Sequence, residues 1–359
     1  MNKFIYGAWK TGSEALHRIK DKYGDDINGF IDTKKRGSYN GYPIIAPSKI
    51  PEEAVIIFAH DNIIIAAEMY GIIRNREFKD IYWFMNLSDD VKERMGFLEN
   101  ECFKINNWGN CVLPNMEIHI SDKCNLNCKN CTHFSPLFTE IGVDFDRCVD
   151  DVRLLKSKFS NIGRLDILGG EPLLNPSLDK YVSTFRELLP DTYLNIFTNG
   201  LLIPELADKV LETIKDCETT VTISEYPPVS KIIDKIVTRL SEVGVRYRIT
   251  SFRGNFNVPI TTSEKTVHPL KCISDGCVCV SDGKLSRCPT LMYVYKFNEV
   301  FGTNLPEDGL IPLNDCPKGE ELLKLLRRDV PLCRYCIECG TQWSVCGKER
   351  RIDDFAVRD

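Results

Sequence analysis

No stretch of this sequence approaches the roughly 20 consecutive apolar residues that a helix needs to cross a bilayer. Basic residues hold no excess either, because 46 Lys and Arg face 51 Asp and Glu for a formal net charge of −5. The first absence excludes a helical membrane protein, and the second leaves no electrostatic footprint for nucleic acid or an anionic membrane surface. Repeats and low-complexity tracts are lacking, and 43% hydrophobic with 27% charged residues describes a globular chain. The opening residues MNKFIYGAWKTG have no apolar core or small-residue cleavage site of a secretory signal. The expectation is a cytoplasmic protein whose partners are small molecules or other proteins. What the chain does have is cysteine, 16 of them. In a reducing cytosol thiols stay free unless a metal or a redox reaction uses them, so the composition points to metal.

At 359 residues the chain has room for two or three domains. Residues 1 to about 85 read as strands at Phe4–Gly7, Phe30–Asp32, Val55–Ala59 and Ile81–Phe84, with helical stretches at Thr11–Lys22 and Asp61–Asn75, an alternation that predicts a parallel sheet. About 20 less patterned residues follow. The alternation restarts with strands near Met116–Ile120, Leu165–Leu168, Tyr193–Phe197, Thr219–Ser224 and Val245–Thr250. Helical stripes run between them, such as Phe145, Val149, Val152, Leu155 and Phe159, and Pro204 stands where a first-turn proline opens a further helix. Repeated β–α units imply a barrel or part of one. After residue 265 the periodicity fades while nine of the 16 cysteines appear, so metal holds that segment as much as a core does.

The sharpest motif is Cys124-Asn-Leu-Asn-Cys128-Lys-Asn-Cys131, set just after an apolar strand. Three thiolates in one loop suit three corners of a 4Fe-4S cube and leave one iron without a protein ligand. A structural zinc site, with His133 as its fourth ligand, is the alternative. In order along the chain follow Gly169-Gly170-Glu171-Pro172, Phe197-Thr198-Asn199-Gly200 and Ser224, each at the end of an expected strand, where a β/α barrel gathers its ligand-binding groups.

The cysteine spacing and the GGEP segment resemble the radical S-adenosylmethionine (radical SAM) superfamily. The resemblance implies a partial (β/α)6 TIM-like barrel at 110–265, between an N-terminal Rossmann-like α/β domain (1–100) and a C-terminal cysteine-rich domain (266–359). It implies a 4Fe-4S cluster on Cys124, Cys128 and Cys131. It also implies S-adenosylmethionine held by Gly169, Gly170, Glu171, Pro172, Asn199 and Ser224. The superfamily usually has an aromatic residue directly before the third cysteine; Asn130 fills that place, and Phe134 is the expected substitute for packing on adenine.

In the C-terminal part, Cys272, Gly283 and Cys288, followed by Cys333-x2-Cys336, resemble the twitch or SPASM extension of radical SAM enzymes. That resemblance implies a second, auxiliary 4Fe-4S cluster on these four cysteines; a zinc ribbon on the CxxC pair is the alternative. Val278 and Val280 alternate before a Ser281-Asp282-Gly283 turn, which predicts a hairpin. Beyond Cys336 the spacing to Cys339 and Cys346 departs from SPASM and favours one auxiliary cluster. The N-terminal Gly7-Ala-Trp-Lys-Thr-Gly12 with Asp32 resembles a degenerate dinucleotide turn whose phosphate-facing glycine is replaced by Trp9.

The resemblance is to twitch enzymes of the 2-deoxy-scyllo-inosamine dehydrogenase type. It implies hydrogen abstraction from a sugar- or cyclitol-like substrate and oxidation of an alcohol to a ketone, with a flavodoxin or ferredoxin as reductant. His133, which follows the cysteine loop, and Glu225 and Arg253, which lie near strand ends, are the candidate catalytic residues. Carbohydrate epimerisation with Cys277 or Cys279 as hydrogen donor, peptide maturation, and a non-catalytic zinc scaffold are the competing expectations.

Overall fold

The computed structural model describes residues 2–88, 97–250, 252–265, 272 and 276–358. They pack as two compact units, one made mainly of Met1–Pro114 and the other mainly of Asn115–Phe159, Leu165–Pro190 and Leu194–Asp359.

The first unit runs β1 (Lys3–Tyr6), α1 (Lys10–His17), β2 (Gly29–Ile31), β3 (Gly37–Tyr39), β4 (Tyr42–Ile45), β5 (Val55–Phe58), α2 (Ile63–Ile73), β6 (Asp80–Phe84), α3 (Phe97–Glu101) and β7 (Cys102–Lys104). One sheet orders them β3-β4-β2-β1-β5-β6-β7. Its centre, from β4 to β6, is parallel, and both edges close with antiparallel strands. Ile5, Ile56, Ile57 and Phe58 are fully buried, as expected of parallel strands covered on both faces. Helix α1 continues into one π-helical turn at Arg18–Lys22, so the single helix expected over Thr11–Lys22 is two. The β3–β4 hairpin went unpredicted.

The second unit alternates β8 (Val112–Ser121), α4 (Phe145–Lys156), β9 (Asn161–Gly169), α5 (Leu178–Leu188), β10 (Tyr193–Thr198), α6 (Asp208–Asp216), β11 (Thr220–Ile223), α7 (Pro227–Ser230), α8 (Ile233–Val243) and β12 (Tyr247–Ile249). Short strands β13 (Asn255–Asn257) and β14 (Ile260–Thr261) lead to the hairpin β15 (Cys279–Ser281) and β16 (Lys284–Ser286). Then come α9 (Pro289–Phe301), β17 (Ile311–Pro312), α10 (Gly319–Leu326), β18 (Gly340–Gln342) and β19 (Ala356–Val357).

The main sheet is ordered β12-β11-β10-β9-β8-β15-β16-β17. Five β–α strands thus lie side by side, and β15 adds a sixth parallel strand against β8, with Cys279 opposite Glu117. The architecture is mixed α/β and matches the partial, TIM-like barrel of the radical SAM fold. The expected hairpin turns at Asp282 and Gly283, both left-handed at φ 49° and 70°, the geometry of a type I′ turn. Pro204 opens a 3-10 turn at Ile203–Glu205 rather than a helix, because Leu206 is extended and α6 starts only at Asp208. Beyond the barrel strands, β13 pairs with β18 and β14 with β19, folding the C-terminal segment back onto the unit. A core of Phe134, Ile260, Leu291, Phe297, Leu332 and Phe355 seals that contact.

Candidate active site

The cysteine loop begins where β8 ends. Asn127 and Asn130 are left-handed (φ 54° and 59°), a conformation that Asn tolerates better than bulky residues do, so an aromatic side chain at 130 carries a strain that Asn avoids. The GGEP segment is laid directly on this loop: Gly170 N donates to Ser121 O (2.7 Å) and Glu171 N to Lys123 O (2.9 Å). A Cβ on Gly169 would run into the Ser121 carbonyl, and one on Gly170 into the backbone of Asp122 and Lys123. These glycines therefore serve close approach of two strand ends.

Glu171 is 1% exposed, and its carboxylate accepts from Thr198 Oγ1 (2.6 Å), Leu173 N (3.1 Å) and Asn199 N (2.9 Å). Burial outweighs these three donors and pushes its pKa up to about 7. Its side chain braces the ends of β9 and β10 and is not part of the cavity wall described below. Pro172 starts the following 3-10 turn and is buried. Asn199 Nδ2 donates to Asn125 Oδ1 (2.7 Å), tying β10 to the cysteine loop.

A cavity of about 450 Å³ opens at these strand ends, within the range of small-molecule sites. Cys131, Asn130, His133, Gly169, Asn199, Ser224 and Arg253 line it, so the structure brings seven of the residues singled out in the sequence to one wall. Glu225 is not among the lining residues; Ser230 Oγ donates to its carboxylate at 2.8 Å. Phe134 is also turned away. Its φ of 50° swings the ring, fully buried, against Phe297 and Phe355 at centroid distances of 5.4 and 6.0 Å, so its surface is spent on the core and not offered to adenine.

Sequence reasoning missed Glu117, Tyr226 and the Asn255–Asn257 strand, all of which line the cavity. Glu117 stands 4.0 Å from His133 Nε2 and accepts from the Cys279 thiol at 3.4 Å. His133 Nε2 is buried without a hydrogen-bond partner among the described residues, and desolvation followed by repulsion from His119 holds its pKa well below 6.5. His119 pairs with Asp122 (2.9 Å) and stacks on Tyr293 (4.2 Å). A signal for Glu117 and His119 was present: two polar residues two apart in the apolar strand MEIHI share one face of it.

The three thiols of the loop are taken out of water. Leu126 N donates to Cys124 Sγ (3.4 Å), the Trp343 indole to Cys128 Sγ (3.1 Å), and the backbone amides of His133, Phe134 and Ser135 lie against Cys131. Burial pushes the Cys124 thiol up to about 12 and raises Cys128 and Cys131, so these groups ionise only with a cation to compensate.

In the second set burial pushes Cys288 up to about 11 and Cys336 up to about 12. Cys288 interacts electrostatically with Cys272 and Cys333, and Cys336 with all three, so the four lie together. Leu291 N donates to Cys288 Sγ (3.5 Å) at the start of α9, and Val330 N to Cys333 Sγ (3.4 Å). Arg287 lies beside the group, its charge felt by Cys288 and Cys336. Among the described residues no three His, Cys, Asp or Glu close around a single ion.

Cys339 is exposed, and Cys346 is buried beside the first loop, where its amide donates to Asn127 O (2.9 Å). Cys102, Cys148 and Cys316 are buried like small hydrophobes. In the first unit, Asp32 spends one carboxylate oxygen on the amides of Lys34 (2.8 Å) and Lys35 (2.9 Å), and Trp9 Nε1 donates to Ala59 O (3.0 Å).

Residues 118–225 match the family model of the radical SAM superfamily, and this segment is a radical SAM domain. The GTP 3′,8-cyclase of Clostridium acetobutylicum is 29% identical over 137 residues, 35% of this chain and 42% of that protein. The GTP 3′,8-cyclase of Aliarcobacter butzleri is 24% identical over 262 residues, 67% of this chain and 74% of that protein. The chain thus spans less than half the length of the first of these relatives. Among solved structures, BtrN in complex with AdoMet and 2-DOIA overlays with a TM-score of 0.39 at 17% identity, covering 68% of this chain and 98% of BtrN. No helix of the described residues is long and apolar enough to cross a membrane.

Proposed function

We propose that this protein is a cytoplasmic radical SAM oxidoreductase that oxidises an alcohol of a sugar- or cyclitol-like substrate to a ketone. The observation that carries the reading is the setting of Glu117. Its carboxylate lines the cavity that Cys131 also lines, with His133 on one side and the Cys279 thiol on the other, and Cys279 is within electrostatic reach of Cys288. A proton acceptor thus shares a cavity with the first cysteine set and touches a thiol that interacts with the second.

When bound, S-adenosylmethionine with a 4Fe-4S cluster on Cys124, Cys128 and Cys131 supplies a hydrogen-abstracting radical, and a second cluster on Cys272, Cys288, Cys333 and Cys336 supplies an electron acceptor. Glu117 takes the hydroxyl proton, and neutral His133 shares it. Arg253, Asn130, Asn255 and Asn257 orient the substrate hydroxyls, while Leu168, Phe197, Tyr226 and Phe256 keep water away from the reacting carbon. Gly169, Asn199 and Ser224 face the cofactor; Gly170, Glu171 and Pro172 set their positions. Residues 266–359 form the auxiliary domain, and a flavodoxin or ferredoxin delivers the electron.

Anaerobic reconstitution tests the reading: about eight irons per chain and reductive formation of 5′-deoxyadenosine, then a ketone from one member of a panel of sugars and cyclitols. Glu117→Gln retains 5′-deoxyadenosine formation and loses at least about 100-fold in ketone formation. About four irons, or no ketone from any substrate that is consumed, sinks the oxidation. The buried Cys279 thiol favours a second reading, epimerisation, which in deuterated water leaves one deuterium at an inverted carbon.

A further inference from the structure

The indole of Trp343 reaches Cys128 from a segment more than 200 residues away in the chain, and its backbone is anchored on both sides. Trp343 N donates to Gly254 O (2.9 Å), next to the β13–β18 pair, and Lys129 N donates to the carbonyl of the neighbouring Ser344 (2.9 Å). Val345 forms a β-bridge with Cys128 itself. Trp343 is thus held between the wall of the cavity and the cysteine loop, with Nε1 3.1 Å from Cys128 Sγ. The ring also lies nearly parallel to that of Tyr226, 28° between planes and 6.2 Å between centroids, and Tyr226 lines the cavity.

We propose that Trp343 is a positioning residue that sets the reduction potential of the iron–sulfur site on the 124–131 loop, through its N–H···S bond to Cys128. The inference rests on the reading of that loop as a cluster site. A hydrogen bond to a ligating sulfur withdraws charge from it, which favours the state carrying one more electron and raises the potential. The half-reaction takes up one electron from an external reductant; no covalent bond forms or breaks, and the indole keeps its proton. Backbone amides give the other two cysteines of the loop their donors. Among the described residues Cys128 alone of the three receives a side-chain N–H, from a residue that a single substitution removes without touching the loop.

The test is a dithionite titration with mediators on the full reconstituted protein, following the electron paramagnetic resonance signal that changes when S-adenosylmethionine is added. Trp343→Phe keeps the aromatic packing and lacks the donor. The expected result is a reduced-to-oxidised ratio about tenfold lower at a fixed poise, which is about 59 mV more negative for a one-electron couple. Trp343→His retains a ring N–H and returns part of the shift.

Equal potentials in wild type and Trp343→Phe, both with full iron, overturn the inference while leaving the cluster reading intact. Failure of both variants to hold iron makes Trp343 a structural residue and overturns it as well. A wild-type protein that assembles no S-adenosylmethionine-sensitive signal instead removes the reading on which the inference stands.

Discussion

The carboxylate of Glu171 lies 2.6 Å from the hydroxyl of Thr198, fully out of water, and burial raises its pKa from 4.5 to about 7. A raised acid binds its proton more tightly folded than unfolded. Its contribution to stability is therefore complete below about pH 4.5 and is lost as pH climbs through about 7. The loss is of the order of 3 kcal/mol, taking 1.36 kcal/mol per unit. Urea unfolding of the metal-free protein should show this fall between those limits, and Glu171→Gln should flatten it; an unchanged slope places the titration elsewhere.

Substituting Cys124, Cys128 or Cys131 by Ala should abolish 5′-deoxyadenosine formation while about four irons remain on the chain. Replacing Cys333 and Cys336 should do the reverse, removing about four irons and leaving S-adenosylmethionine cleavage measurable. Iron content unchanged by the second pair of substitutions indicates zinc, or no metal, at Cys333 and Cys336.

Local motifs made much of this site readable. Cys124, Cys128, Cys131 and the Gly169–Pro172 segment are close in sequence to the strand ends that position them, so periodicity placed them at one end of the sheet and the family resemblance supplied their proposed roles. The hairpin at Asp282-Gly283 was legible for the same reason, whereas the one at Asn40-Gly41 carried an equally good turn signal between strands too short to show alternation.

What stayed hidden depends on distant chain segments. Glu117 meets Cys279 162 positions away, and Trp343 meets Cys128 215 positions away. Neither pairing leaves a mark on spacing. Phe134 was misread because its role follows from one left-handed backbone angle, which turns the ring from the cavity to the core.

Phe134→Ala should cost about 3–5 kcal/mol, the range for a fully buried ring removed from a packed core. Phe297 and Phe355 line the space it leaves, and the segment carrying Phe355 also holds the cysteine loop through Asn130 N to Asp354 O (2.7 Å). A lower urea midpoint should therefore come with weaker iron retention at Cys124, Cys128 and Cys131. A loss below about 1 kcal/mol means the ring packs on a surface that can close over the gap.

Gly170→Ala separates two opposing effects. Gly170 is not in the left-handed region, so alanine alone would gain about 0.4–1 kcal/mol by restricting the unfolded chain. The added Cβ, however, meets the backbone of Asp122 and Lys123, which cannot retreat without stretching the Gly170-to-Ser121 and Glu171-to-Lys123 hydrogen bonds. Overpacking against backbone costs about 1–3 kcal/mol and should win. The variant should unfold at lower urea and lose iron at the first cysteine set while the second keeps about four irons. A wild-type midpoint with full iron would mean that the strand ends move apart freely, and that Gly170 is present for some reason other than close approach.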